Sequence, residues 1–236
     1  NGDDLLPDLA IGRLPATTLE QAHTMVAKIL DWEAQGQNLD GNAALVADNP
    51  DLAGDFEADA RDIESSFLAG RDTTQIFLGQ LVNRDVARAR ILDAFNQGLS
   101  LISYVGHGGG AVWAGENILN SSDPASLLAQ PRQPFMLTMN CLNGYFIAPF
   151  YESLAEGFLK APGKGTIASF SPSGLSLDGP AHLYHRALMQ EITGGQHTRL
   201  GDAILAAQKT YAQSGAFPEL LSVYHLFGDP AMKARP

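Results

Sequence analysis

From Asp8 onward the chain alternates short apolar runs with longer stretches in which apolar residues recur every three or four positions. The short runs suit strands buried on both faces and the longer ones suit helices covering a sheet, so the pattern predicts an α/β fold with a mostly parallel sheet. The first helix is expected over Pro15 to Glu33, where Leu19, Ala22, Met25, Val26, Ile29 and Leu30 share a face and Thr17 or Thr18 offers a cap. AALVA at 43–47 reads as a strand, about Glu57 to Leu68 as a helix, TQIFLG at 74–79 as a strand, and Asn83 to Asn96 as a helix that Gly98 is placed to end. LSLISYV at 99–105 and PFMLTMN at 134–140 are two further strands, with a short capped helix expected near Ser122 to Gln130 between them. A helix over about Phe150 to Leu159, the strand GTIASF at 165–170, and helices over about Pro180 to Ile192 and Leu200 to Ala212 continue the alternation. The chain closes with SVYHLFGDPAM.

At 236 residues the chain is sized for one large domain, and no repeat, low-complexity segment or Pro/Ser linker marks a second. Its 26 Asp and Glu against 15 Lys and Arg give a net charge of −11, a surface that repels phosphate backbones and anionic lipid headgroups. Nucleic acid and membranes are therefore not expected as partners. No apolar stretch approaches the ~18 residues of a membrane span, and the first residues lack the basic-then-apolar pattern of a signal peptide. The chain begins with Asn1 rather than Met, and is expected to be a piece of a longer protein. Its one cysteine, Cys141, excludes an internal disulfide and a multi-thiolate metal site, which leaves either a buried inert thiol or a reactive one.

Two strand ends carry the candidate chemistry. The run ending at Val105 stops at GHGGG, and the run ending at Asn140 stops at CLNG, so His107 and Cys141 each follow a predicted strand closely. In an open parallel sheet the C-terminal strand ends share one edge, where ligands bind. The separation, 141 − 107 = 34 residues, fits one strand–helix–strand step, which puts both side chains on neighbouring strands. A thiol at neutral pH is mostly protonated, and an adjacent imidazole supplies the positive influence that a thiolate nucleophile needs. The flanking glycines allow close approach of backbone to a substrate, and the amides of Gly108 and Cys141 are placed to form an oxyanion hole. Against this, a Cys at a strand end is commonly core, and Gly-rich loops close many α/β units.

Taken together, IGRLPA, KILDWE, RILDAFNQGLSLISYVGHGGGAVW, MNCLNGYF, TIASFSPSG and HLFGDPAM resemble the gingipain-type cysteine peptidases, relatives of the caspases in clan CD. The resemblance runs in order from Asp8 to the C-terminus. It implies a three-layer caspase-like sandwich in which Cys141 is the nucleophile, His107 the catalytic imidazole, and Gly108 and Cys141 the oxyanion donors. It also implies a peptide or protein substrate, no required cofactor, a preceding smaller α/β subdomain, and a secreted or cell-surface location. The family's acid that orients the imidazole falls nearest Pro50, so Asp48 or Asp51 must substitute, with Asp48 preferred as the first acid after its strand. Alignment through Gly54 puts Glu57 near the family's acid for a basic P1 residue, and Trp113 and the loop from Ser171 to Gly174 are expected to border the cleft. Read on their own, Asp48, Asn49, Asp51 and Asp55 lie close enough for an oxygen-rich structural calcium loop, although without EF-hand spacing.

Other readings are weaker. HGGG resembles a lipase oxyanion loop, yet the chain has no Gly-x-Ser-x-Gly elbow, and APGKGT lacks the glycine spacing of a phosphate loop. His182 and His185 are three residues apart but lack a matching acid motif for zinc. The alternative from a different class is a non-catalytic peptidase-like module used in secretion or adhesion.

Overall fold

The computed structural model describes residues 5–235. Helix α1 (Leu19–Ala34) is capped by the Thr18 hydroxyl and precedes strand β1 (Ala43–Ala47), helix α2 (Phe56–Phe67), strand β2 (Thr73–Phe77), helix α3 (Arg84–Asn96) and strand β3 (Leu101–Val105). Three short strands follow: β4 (Gly108–Gly109), β5 (Val112–Trp113) and β6 (Leu119–Asn120). The chain continues through strand β7 (Phe135–Met139), helix α4 (Leu154–Lys160), strand β8 (Ala168–Pro172), helices α5 (Asp178–Thr193), α6 (Leu200–Gln213) and α7 (Leu220–Val223), and strand β9 (Tyr224–Phe227).

The six-stranded sheet has the order β2-β1-β3-β7-β8-β9, parallel except for β9, which runs antiparallel to β8. Its strands alternate between two apolar cores. Leu45, Ala47, Leu101, Val105, Phe135 and Leu137 face α2, α5 and α6, whereas Val46, Ile102, Tyr104 and Met136 face α3 and α4. Burial on both faces explains why the central strands read as unbroken apolar runs. This is the predicted mostly parallel sheet between helical layers.

Local departures from the expected elements have identifiable causes. The helix expected at Ser122 to Gln130 is only a 3-10 turn over Asp123–Ser126: Leu127 turns extended at ψ 150°, and the Leu128 amide donates to Asn96 Oδ1 instead of to a helical carbonyl. The helix expected from Phe150 begins at Leu154, where Ser153 and Glu156 form a capping box. The strand expected through Gly79 coils into a 3-10 turn at Leu78–Gln80.

The decisive register is that of β3 and β7, in which Leu101 lies opposite Phe135 and Val105 opposite Met139. The two strands end level, and His107 and Cys141 each leave the sheet two residues later. On the α5 side of the sheet, fully buried His185 bonds through Nε2 to the Ser103 hydroxyl at 3.0 Å, while burial pushes its pKa down to about 3. A base whose folded pKa lies below its ordinary value of 6.5 binds fewer protons folded than unfolded, so stability is lost as pH falls through that interval. Denaturant unfolding is expected to show a shallower loss between about pH 6.5 and 3 for His185→Gln than for the wild type; equal slopes would refute the assignment.

Candidate active site

The turn after β3 is shaped by close approach. Gly106 has φ +151°, and a Cβ there would lie 2.4 Å from the Asp48 Cβ and 2.7 Å from the Tyr104 hydroxyl oxygen. No other residue fits without displacing a neighbour. Buried Asp48 accepts from the backbone amides of His107 (3.1 Å) and Asn49 (2.9 Å), and burial raises its pKa against the opposing effect of those two bonds. Tyr104 donates its hydroxyl to the His107 carbonyl at 2.6 Å.

The imidazole itself meets a different acid. His107 Nε2 lies 2.8 Å from Asp51 Oδ2, and the ring packs edge-on against Phe56 with centroids 5.3 Å apart. The hydrogen bond from His107 holds the Asp51 carboxyl below its usual range. The preference for Asp48 as the side-chain partner is therefore corrected: Asp48 turns back to cap amides, and Asp51, three residues on, reaches the ring. Among the described residues, His107 Nδ1 has no hydrogen-bond partner.

Cys141 follows β7 and Asn140, and the next residue, Leu142, adopts φ +64°, an uncommon conformation for a side chain of that size. The half-buried sulfur sits between the two backbone groups of one residue: the Ser176 amide donates to Sγ at 3.4 Å, and Sγ lies 3.5 Å from the Ser176 carbonyl oxygen. The Ser176 hydroxyl is 2.9 Å from that of Tyr224, which anchors the loop to β9. The Cys141 amide has no acceptor among the described residues, so it remains available as an oxyanion donor. His107, Cys141, Phe56, Ser176, Leu177 and Asp178 line one small cleft at the strand ends.

Asn143 joins the two loops. It is fully buried, and its amide nitrogen donates to the carbonyls of Gly109 (2.5 Å) and Val112 (3.0 Å), while its oxygen accepts from Asn140 Nδ2 at 2.5 Å. Gly108 must lack a side chain here, since a Cβ would stand 2.2 Å from Asn140 Nδ2. The first turn of α4 adds two backbone bonds, from Leu154 to the Gly110 carbonyl and from Ala155 to the Asn143 carbonyl. The asparagine of Cys-x-Asn-Gly was visible in the sequence, but only the hairpin formed by β4 and β5 reveals its acceptors.

Several expected cleft residues lie elsewhere. Trp113 is fully buried and stacks on Tyr104 with centroids 4.4 Å apart, so it supports the turn carrying His107 rather than touching the cleft. Ser171 is buried within β8, bonded to Ser169 and Thr138. Gly174 does meet the Cys141 turn, through its carbonyl to the Leu142 amide at 3.0 Å. Glu57 is buried and already held by Arg61 (3.0 Å) and Gln80 (2.7 Å), and it is not part of the cleft lining. The acid that lines the cleft is Asp178, which sits over Gly54, and burial together with the charge of Asp59 pushes its pKa up to about 6. The carboxylates proposed for calcium are occupied separately: Asp48 caps two amides, Asp51 binds Ala53 and His107, and Asp55 caps α2. Among the described residues no three His, Cys, Asp or Glu side chains are grouped to hold a metal. His182 is held between Asp59 (3.5 Å) and Asp62 (3.0 Å).

The model of peptidase family C25 matches residues 1–235. Gingipain R2 of Porphyromonas gingivalis is 24% identical over 253 residues, a match that covers 99% of this chain and 34% of the relative. Gingipain R1 of Porphyromonas gingivalis is likewise 24% identical, with 99% and 25% covered. The chain thus spans about a third or less of the length of these curated relatives. The crystal structure of the Arg-specific cysteine proteinase gingipain R matches with a TM-score of 0.84 and 19% identity, over 99% of this chain and 57% of that one. The Saccharomyces cerevisiae separase–securin complex matches with a TM-score of 0.59 and 15% identity, over 94% of this chain and 14% of that one.

The Asn143 tie has a direct test. Asn143→Asp keeps the shape but removes the donor facing two carbonyls, and is expected to cost about 2 kcal/mol or more. Denaturant unfolding should register that loss, with faster hydrogen exchange in the hairpin of β4 and β5. Unchanged stability and exchange would show that the amide does not hold the loops together.

Proposed function

This chain belongs to peptidase family C25, and on that premise we propose that it is the catalytic unit of a cysteine endopeptidase that cleaves after basic residues. The observation that carries the reading is the shared cleft: the only sulfhydryl and the His107 imidazole open into it from neighbouring, level strand ends. Cys141 Sγ attacks the scissile carbonyl carbon, forming a C–S bond, and the Cys141 and Gly108 amides receive the negative charge on oxygen. The Ser176 amide stabilises the thiolate beforehand. His107 gives a proton to the departing amine as the C–N bond breaks, then takes one from the water that releases the acyl group. Asp51 orients the ring through Nε2 and leaves Nδ1 for proton transfer.

Asp178 supports the choice of a basic P1 residue, because its ionised carboxylate would pair with a guanidinium or ammonium entering between α2 and α5. The Arg-specific gingipain R supports the same choice. A secreted or cell-surface location and a preceding subdomain belong to this reading, and rest on the family resemblance and on the further length of the gingipain R chain.

Variants of three residues check the proposal. A peptidyl acyloxymethyl ketone with Arg at P1 should label Cys141 rapidly in the wild type and not in His107→Ala; a thiol that reacts only after denaturation would replace the enzyme with an inert module. Asp51→Asn should slow labelling of Cys141 at a fixed pH, because the ring loses the carboxylate that orients it; an unchanged rate would remove Asp51 from the site. For Asp178, kcat/KM on Arg substrates should rise as pH climbs through about 6, and Asp178→Asn should remove that rise and at least tenfold of the Arg preference. An acid whose folded pKa is raised destabilises the fold once ionised, so Asp178→Asn should also unfold at a higher temperature near neutral pH.

A further inference from the structure

Apolar side chains are unexpectedly exposed on the loops that bracket the cleft. Leu52 is fully exposed on the loop after β1, and Leu175 (74%) and Leu177 (58%) are exposed on the loop after β8. A single exposed leucine means little. These three differ in being fastened to the catalytic groups through their neighbours. Leu52 stands between Asp51, which binds the His107 ring, and Ala53, which lines the cleft and donates to Asp51 Oδ1 at 2.7 Å. Leu175 stands between Gly174, which holds the Leu142 amide, and Ser176, both of whose backbone groups meet Sγ. Leu177 is itself part of the cleft lining, next to Asp178.

The rim is thus continuous with the cleft, and its loops are held by hydrogen bonds before any ligand arrives. Such preorganisation lowers the cost of covering it. We infer that this rim binds bulky apolar side chains of the substrate chain flanking the scissile bond, so that the preferred substrate class is a basic residue set among apolar ones. The inference rests on the peptidase reading above and narrows its substrate. The occupant is the substrate rather than a permanently docked surface, because the same loops border the groups that must meet the scissile bond. Covering one exposed leucine by about half is worth roughly a tenfold change in kcat/KM.

The test uses the full-length protein and two internally quenched peptides with the same single Arg, one flanked by Leu and Phe and the other by Gly and Ser. The apolar-flanked peptide is expected to be cleaved with a kcat/KM about tenfold higher or more. Leu52→Ser combined with Leu175→Ser should bring that ratio to within about twofold, whereas Leu128→Ser, at an exposed leucine away from the cleft, should leave it high. The single substitutions Leu52→Ala and Leu175→Ala keep the question answerable if the double variant folds poorly. Equal cleavage of both peptides by the wild type, or a ratio untouched in every rim variant, overturns this inference while leaving the peptidase reading intact. No cleavage of either peptide, with Cys141 unlabelled in the folded protein, overturns the peptidase reading instead.

Discussion

One buried carboxamide holds the geometry of the proposed catalytic site together. A parallel sheet brings His107 and Cys141 to the same level, but it leaves each on a loop free to swing away from the other. The Asn143 side chain removes that freedom by spending both of its polar ends, donating to the hairpin that follows His107 and accepting from the turn that carries Cys141. A hydroxyl could not do this with the same reach, and a carboxylate would present oxygen to carbonyl oxygen. The glycine at 108 and the positive φ at Leu142 are the steric counterparts of that closeness.

The electrostatics divide along a similar line. Asp48 and Asp51 come from one loop, yet the buried one fixes the backbone and the exposed one addresses the ring. Fixing an amide suits an enclosed acid with several donors, and biasing a proton suits an acid near solvent that can remain charged. Asp178 belongs to neither task. Burial and Asp59 work against its ionisation, so the free fold carries an unfavourable charge that a cationic side chain would relieve. The proposed selectivity for a basic residue would then draw on the same unfavourable charge in the cleft.

Much of this was legible in the sequence because it depends on period and position. Apolar runs marked the strands, and the abrupt stops at GHGGG and CLNG placed the imidazole and the thiol on adjacent strand ends. Legibility failed where a side chain's direction depends on the third dimension. Nothing in the one-dimensional pattern distinguishes Asp48 from Asp51, because the turn between them decides which one meets a backbone amide and which one a ring. Trp113 looked like a cleft residue because it follows the glycine loop, but two-residue strands fold it back onto Tyr104. Glu57 was misplaced because, besides Arg61 one turn along its own helix, it is held by Gln80 from the turn after β2, a partner remote in sequence. The expected helix after Ser122 stopped short where the Leu128 amide turns to the Asn96 side chain on a distant helix.

The sulfur is served by the peptide group of Ser176 and not by its hydroxyl, which is turned instead to Tyr224. Every amino acid except proline carries that same amide and carbonyl. The neighbouring positions 175 and 177 can therefore carry other side chains without removing the two backbone groups that meet the sulfur. On the proposed reading, substrate choice and reactivity would reside in different atoms of the same short loop.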